Sequence, residues 1–212
     1  MRIGIIGAGE LGGSLAEWWT QAGHDVVMAT AQPGPVPDAT GQPTTTPGMT
    51  VTDAAAFGDV VLFAPDWATA HTLLDETAGA LAGKPVLDAT NPVVWRDGNG
   101  YQRAVPDGLS GIETLSAWAP DARWVKAFNT CTPSVLRRRR GRDPLLAEFI
   151  CTDDREARSA ATRLIRDIGF AAFFAGGASN ACLTEAGGPL QLREVDVADA
   201  TAAFAEVVTA GR

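Results

Sequence analysis

The stretch "GAGELGG" (residues 7–13) follows directly on "MRIGII" (1–6), and it decides the fold. The run before the glycines is short, apolar and rich in isoleucine, which predicts a buried strand. Behind it Leu11, Leu15 and Trp18 recur at helical spacing, so a helix is expected to begin within the glycine segment. A strand, a glycine-rich turn and a helix in this order are typical of a dinucleotide-binding unit. A turn that merely tolerates small residues is the alternative.

The glycine segment fits the spacing G-x-G-x-x-G, and each glycine has a physical role in that geometry. The first permits a tight turn, the second lets a pyrophosphate approach the backbone, and the third lets the helix lie close to the strand. The helix N-terminus supplies free N–H groups and a partial positive charge for phosphates. The residues predicted to bind the cofactor here are Gly7, Gly9, Glu10, Leu11 and Gly12.

Strand and helix candidates alternate along the rest of the chain. The strand candidates are residues 25–30, 59–65, 85–92, 123–130, 144–152 and 170–177, and the helix candidates are residues 66–84, 109–120 and 154–169. This alternation predicts an α/β fold with a doubly wound, mostly parallel sheet, which 170–177 is expected to close, and a small C-terminal helical segment. The proline-rich stretch 32–49 is expected to be a loop. We expect a dinucleotide-binding domain over residues 1–135 and a smaller α/β portion over 136–212.

Composition narrows the class of protein. With 46% hydrophobic and 20% charged residues the chain supports a packed core, and a net charge of −8 disfavours nucleic acid or an anionic membrane as partner. No apolar run is long enough to span a membrane, and the first residues do not resemble a signal peptide. The three cysteines match no zinc or C-x-x-C pattern, so we expect reduced thiols in a cytoplasmic protein.

The end of the second strand indicates which dinucleotide is bound. Sites that prefer NAD place an acidic residue there to hold the ribose hydroxyls. No Asp or Glu occurs between Val26 and Gln32, which leaves room for the 2′-phosphate of NADP, and Thr30 is placed to donate to it. The sequence therefore predicts NADP as the cofactor.

Four segments together resemble the NADP-dependent oxidoreductases of the deazaflavin coenzyme F-420, a family related to the N-terminal domain of pyrroline-5-carboxylate reductase. They are "GAGELGGSLAEWWTQAGHDVVMAT" (7–30), "VLDATNP" (86–92), "WVKAFNT" (124–130) and the stretch from "TDDREARS" to "LTEAG" (152–187). The resemblance implies a soluble, usually dimeric protein. It also implies direct hydride transfer between the deazaflavin and the nicotinamide, stacked at the carboxyl ends of the strands.

The resemblance also implies roles for particular residues. Thr30 takes the place that contacts the phosphate, and Pro65 falls beside the adenosine and ribose. Those implied to lie in the cleft or close to the nicotinamide are Asn91, Pro92, Ala127, Phe128, Asn129 and Thr130. The chain has Ala31, Phe174 and Cys182 where the family tends to have arginine, aspartate and arginine, which weakens the case for the deazaflavin more than the case for NADP.

The chemistry of the hydride partner leaves three functions open. Transfer between two cofactors needs only alignment and exclusion of water, and we favour this reaction with NADP(H) and a deazaflavin. An NADPH-dependent reductase of a small imine or enone is the alternative, and it needs a proton donor, for which Lys126 is the candidate. A non-catalytic dinucleotide-binding sensor is the third. For each of these functions we expect a homodimer whose ligand is a small-molecule substrate or a second cofactor.

Three of these residues and segments also have plainer interpretations. Lys126 is also consistent with a structural lysine bonded to backbone carbonyls at a strand end. Asn129 is predicted either to bind the carboxamide or substrate, or to cap the following turn. The basic run "RRRRGR" (137–142) either gathers a polyanionic ligand or forms a solvated surface loop.

Overall fold

The computed structural model describes residues 1–29, 35–37 and 43–210 of the chain. The strands are β1 (Arg2–Ile6), β2 (Asp25–Ala29), β3 (Pro35–Pro37), β4 (Pro43–Met49), β5 (Val60–Phe63), β6 (Pro85–Asp88), β7 (Val93–Arg96), β8 (Gly100–Arg103), β9 (Arg123–Lys126), β10 (Ala147–Ile150) and β11 (Ala171–Phe174). The α-helices are α1 (Glu10–Gln21), α2 (Val51–Phe57), α3 (Trp67–Leu81), α4 (Gly111–Trp118), α5 (Pro133–Arg139), α6 (Arg155–Asp167) and α7 (Val197–Ala210). A 3₁₀ helix covers Ala178–Leu183.

The central sheet has the strand order β3-β4-β2-β1-β5-β6-β9. All neighbours from β4 to β9 are parallel, and β3 is added antiparallel at one edge. The chain first builds outward from β1 to β4 and then returns to place β5 on the other side of β1, so the order reverses between β1 and β5. Ligands of such sheets bind in the crevice at this switch point, outside the carboxyl ends of the strands. The predicted α/β fold with a mostly parallel sheet is confirmed.

Helices cover both faces of this sheet, which is why its central strands are apolar runs. Successive side chains of β1 alternate between the faces. Ile3 and Ile5 join one buried layer with α1 and α6, whereas Ile6 joins the other with α3 and α4. Both layers close immediately behind the glycine turn that follows β1, and they hold that turn in place.

The stretch 32–49 contains strands, so the prediction of a loop is wrong for its described residues. β4 pairs with β2 in parallel, with Met28 opposite Gly48 and Ala29 opposite Met49. β4 meets β2 only through its last two residues, so the pairing leaves no hydrophobic pattern in the sequence, and prolines are tolerated in an edge strand such as β3. Thr50 then caps α2 by accepting a hydrogen bond from Asp53 N at 3.1 Å.

The last two strands form a sheet of their own. β10 and β11 pair in parallel with each other, so the prediction that 170–177 closes the central sheet is wrong. The two sheets meet through one antiparallel bridge, in which Lys126 N donates to Cys151 O at 2.9 Å and Cys151 N donates to Lys126 O at 3.2 Å. The backbone that follows β10 pairs with β9 only at Lys126, the last residue of β9, so β10 cannot continue the parallel ladder of the central sheet. The α6 helix fills the angle between the sheets by packing on β6, β9 and β11.

A β-hairpin that the sequence did not predict lies beside the carboxyl ends of the central strands. β7 and β8 are antiparallel, with Trp95 opposite Tyr101. These two rings meet edge to face with centroids 5.3 Å apart, and both side chains are exposed. The hairpin follows β6 directly, so it forms one wall of the crevice. No helix in the described part of the chain is both long and apolar enough to cross a membrane.

Candidate active site

The glycine turn after β1 is required by close packing. Gly7 has φ +120°, and a Cβ added there would lie 2.3 Å from Ala64 O. A Cβ at Gly12 would lie 2.2 Å from Gly7 O, so any side chain there would push α1 away from β1. Gly9 differs, because a Cβ there would meet no described atom within 4 Å. Space is therefore open in front of Gly9, on the side from which a ligand would approach.

The N-terminus of α1 points its free N–H groups into this space. Gly9 is the N-cap residue and, among the described residues, no side chain caps the helix. The first backbone N–H groups of a helix have no intrahelical acceptor and carry a partial positive charge, which suits an anion. Glu10 and Leu11 are the first two residues of α1. Thr30, the predicted contact of the 2′-phosphate, lies outside the described residues.

Two asparagines connect the segments that follow β6 and β9. Asn91 donates from Nδ2 to Asn129 O at 3.1 Å, and its Oδ1 accepts from Ala186 N at 2.9 Å. Asn129 donates from Nδ2 to Thr184 O at 3.0 Å. Its buried Oδ1 finds no hydrogen-bond donor within the described chain. The structure thus brings both predicted asparagines together and leaves one buried acceptor of Asn129 without a partner.

Phe128 gives the segment after β9 an unusual backbone. Its φ is +62°, a value that residues other than glycine rarely adopt. Its side chain is buried and meets Trp19 edge to face with centroids 6.0 Å apart. The neighbouring Ala127 and Thr130 are buried as well. Backbone strain of this type is held in place by surrounding packing and clusters at functional sites.

Lys126 lies at the centre of a fully buried charge cluster. Its Nζ is 2.6 Å from Asp88 Oδ2 and 3.1 Å from Glu185 Oε1, and it donates a hydrogen bond to Thr90 O at 2.9 Å. Burial alone would lower the pKa of Lys126, but the two carboxylates outweigh it and raise the pKa above its ordinary value. The ammonium is therefore charged, surrounded by oxygens and shielded from solvent. A role as proton donor stays a prediction.

Local hydrogen bonds hold the two carboxylates of this cluster. Asp88 Oδ1 accepts from both Thr90 N at 2.8 Å and Thr90 Oγ1 at 2.6 Å. Glu185 Oε1 accepts from Gly111 N at 2.8 Å, and its Oε2 lies 3.8 Å from Arg103 Nη1. Arg103 is the member that sequence reasoning missed. It belongs to the unpredicted hairpin, so no spacing in the sequence associates it with β6 or β9.

Two adjoining cavities open at the carboxyl ends of the strands. The smaller, of about 450 Å³, is lined by Pro65, Asp66, Trp67, Ala68, Ala89, Thr90, Asn91, Val93, Val94, Trp95 and Tyr101. The larger, of about 820 Å³, is lined by Asn91, Val93, Tyr101, Arg103, Cys182, Ala186, Gly187, Gly188, Pro189 and Gln191. Asn91, Val93 and Tyr101 border both. Of the predicted residues, Pro65 and Asn91 thus share a cavity, while Pro92 packs behind it and accepts from Ala104 N at 2.8 Å.

The first residues of the basic run are helical, and the side chains of residues 137–140 are paired within the chain. Residues 137–139 form the end of α5, so the prediction of a surface loop is wrong for them. Arg138 and Arg139 both pair with Glu194. Arg140 donates to Ile168 O at 3.2 Å and lies 5.1 Å from the ring centre of Trp18. Arg137 contacts the first turn of α1.

Comparisons with known proteins find similar sequences. The model of the family "NADP oxidoreductase coenzyme F420-dependent" matches residues 2–92. The metalloreductase STEAP3 of Rattus norvegicus is 26% identical over 185 residues, which are 87% of this chain and 36% of that protein. The chain thus spans about a third of the length of that relative.

Solved structures share the fold. The "putative F420 dependent NADP-reductase" of Arthrobacter sp. FB24 has a TM-score of 0.73 at 23% identity, covering 85% of this chain and 87% of the other. A hypothetical protein from Sinorhizobium meliloti has a TM-score of 0.76 at 24% identity, covering 92% and 95%. The resemblance predicted from the sequence is confirmed by the family model over residues 2–92, and the solved structures confirm the fold.

Proposed function

We propose that the protein transfers a hydride between NADP(H) and a deazaflavin coenzyme. The observation that carries the proposal is the glycine turn at the switch point of the sheet, where the open space before Gly9 meets the free N–H groups of α1. A diphosphate fits this combination of space and charge. The family whose model matches the same residues acts with NADP and coenzyme F420.

The rest of the dinucleotide fits along the strand ends. Pro65 and Asn91 line the smaller cavity, after the first and the second strand beyond β1. Asn129 is buried next to Asn91 and donates from Nδ2 to Asn91 Oδ1 at 3.4 Å, which holds Asn91 in place at the cavity wall. When bound, NADPH would supply the hydride, and these residues would hold the ring and keep water away from it. The larger cavity next to it would receive the second ring.

The enclosure of Lys126 favours transfer between cofactors over reduction of an imine. An imine or enone reductase needs a proton donor close to the reacting atom. Lys126, the candidate donor, is fully buried and in contact with oxygens of Asp88, Glu185 and Thr90. Transfer between two cofactors needs alignment and exclusion of water, which a buried, rigid cluster supports. We therefore assign Lys126 a positioning role.

A direct assay tests the proposal. Purified protein is mixed with NADPH and oxidised deazaflavin, and the absorbance of both is followed. We expect a decrease of both bands at matched rates. Binding of NADPH without exchange at any pH would exclude hydride transfer to the deazaflavin. Turnover of a cyclic imine instead would favour the alternative reductase, and tight NADPH binding with neither reaction would favour a sensor.

The glycine turn provides a matched pair of variants. Gly12→Ala is expected to weaken NADPH binding about tenfold or more, because its Cβ would collide with Gly7 O and displace the N-terminus of α1. Gly13→Ala is the control, since a Cβ there meets no described atom within 4 Å. Titration of NADPH by fluorescence measures both. Equal affinity of the two variants would contradict the proposed location of the diphosphate.

The cellular context is part of the same proposal. We propose a cytoplasmic homodimer, as the resemblance implies. The thiols of Cys131, Cys151 and Cys182 are free, which suits a reducing compartment. Light scattering of the purified protein measures the oligomeric state, and a monomer at micromolar concentration would contradict the dimer.

A further inference from the structure

Arg137 is the only member of the basic run that contacts the glycine turn in the described structure. Its Nη1 donates to Ser14 Oγ at 3.1 Å, and its Nη2 is paired with the Glu10 carboxylate. Both partners belong to the first half of α1, although they lie more than 120 positions away in sequence. The Arg137 side chain is 40% exposed and pairs with Glu10, the residue that follows Gly9.

Glu10 creates an electrostatic problem for a diphosphate at this place. Its backbone N–H is among the free donors of α1, but its side chain carries a negative charge that is 52% exposed. A diphosphate bound to the first turn of α1 would approach this carboxylate, and like charges repel. A cation next to Glu10 removes that repulsion. Arg137 is the cation that the structure places there.

The chemistry of a guanidinium allows it to serve two anions at once. Arginine carries five N–H donors in a planar fork, and it binds carboxylate and phosphate in the same manner. The contacts to Ser14 and Glu10 use two of these donors. The remaining donors are available to a phosphate oxygen, with the strength of a charge-assisted hydrogen bond.

We propose that Arg137 is a ligand of the diphosphate of the bound dinucleotide, positioned by Ser14 and paired with Glu10 while no dinucleotide is bound. This inference rests on the proposed function, because it takes the same glycine turn as the cofactor site. α5 follows β9, whereas the predicted 2′-phosphate contact follows β2, which lies on the other side of β1 in the sheet. Arg137 therefore reaches the diphosphate and not the 2′-phosphate, and its contribution is the same for NADPH and NADH.

The helix that carries Arg137 also ties the diphosphate to the ring site. α5 begins three residues after Thr130, with Thr132 as its N-cap and Pro133 in its first turn. A ligand that engages Arg137 is thereby coupled to the strained segment around Phe128, which the resemblance places near the nicotinamide.

Binding of the free dinucleotides tests the proposal without an activity assay. Arg137→Gln is expected to weaken the affinity for NADPH and for NADH by the same factor, about tenfold or more. The affinity of the variant should also depend less steeply on salt concentration, because one ionic contact is lost. Arg138→Gln is the matched control, since Arg138 lies in the same run but pairs with Glu194. We expect the control to bind both dinucleotides like the unaltered protein.

The outcomes separate this inference from the proposed function. If Arg137→Gln binds both dinucleotides like the control, the inference is overturned while the site stands. A loss for NADPH alone would assign Arg137 to the 2′-phosphate and would also overturn it. If the unaltered protein binds neither dinucleotide, the proposed function itself fails.

A second variant covers the case in which Arg137→Gln does not fold. Glu10→Gln keeps the shape of the side chain, removes the repelling charge and frees Arg137 for the ligand. We expect it to bind both dinucleotides several-fold more tightly. Unchanged or weaker binding by this variant would overturn the inference, because the release of Arg137 from Glu10 would then add nothing to the binding of the diphosphate.

Discussion

Lys126→Met is expected to lower the free energy of unfolding by about 3–5 kcal/mol, since it leaves buried charges without a partner. Asp88 and Glu185 are both 0% exposed, and the ammonium between them would be lost. The remaining cation near the cluster, Arg103, lies 3.8 Å from Glu185 and cannot replace an ammonium in contact with both carboxylates. Chemical denaturation at neutral pH measures the change.

The other lysine of the chain supplies the control for this variant. Lys84 Nζ donates to Ala55 O at 2.8 Å and to Ala56 O at 3.0 Å, close to the surface and without a paired carboxylate among the described residues. Lys84→Met is expected to cost about 1 kcal/mol, the value of ordinary hydrogen bonds. Adding Asp88→Asn to Lys126→Met should restore part of the stability. Equal losses for the two lysine variants would contradict a buried, charged cluster.

Glu148→Gln is expected to stabilise the protein increasingly as the pH rises. Glu148 lies on β10, fully buried, and neither of its oxygens has a hydrogen-bond partner within the described chain. Burial raises the pKa of this carboxyl from 4.5 to about 8. Between pH 4.5 and about pH 8, Glu148 loses its proton in the unfolded chain but keeps it in the folded protein. The contribution of Glu148 to stability is therefore most favourable below pH 4.5 and falls as the pH rises towards 8, by about 1.4 kcal/mol per unit at most.

The measurement is the free energy of unfolding from pH 5 to pH 9, for the unaltered protein and the variant. The glutamine side chain of the variant cannot ionise, so the decline assigned to Glu148 should disappear, leaving the variant several kcal/mol more stable at pH 8. The control is Glu194→Gln, which changes an exposed carboxyl whose pKa is lowered by hydrogen bonding to Arg139. A parallel pH dependence of Glu148→Gln and the unaltered protein would contradict the assignment.

The central sheet was predictable because its strands are buried on both faces. β1, β2, β5, β6 and β9 all appear in the sequence as short apolar runs, and those of β1 and β5 are followed directly by helical periodicity. β4 was not predictable, since its place beside β2 comes from backbone pairing in a proline-rich stretch. The placement of β10 and β11 in a separate sheet depends on the crossing at Lys126 and Cys151, which no local pattern reports.

The residues of the candidate site also differ in whether the sequence predicted them. Gly7 and Gly12 follow from the motif, because the packing that requires them is local to the strand and the helix. The roles that the resemblance implies for Asn91 and Asn129 stay predictions, although the structure brings the two side chains together. Arg103 and Arg137 were out of reach of sequence reasoning. Each acts through a partner distant in the chain, and only the folded arrangement shows the pair.

The charged groups around Lys126 come from two distant parts of the chain. Lys126 and Asp88 come from the first 135 residues, whereas Glu185 comes from the last third of the chain. A fragment that ends at residue 135 would keep the ammonium but lose one of its counterions, together with the backbone bridge from Cys151. Residues 1–135 by themselves therefore lack one of the two carboxylates that contact the Lys126 ammonium, and a chimera that replaces the C-terminal portion needs a glutamate at this place.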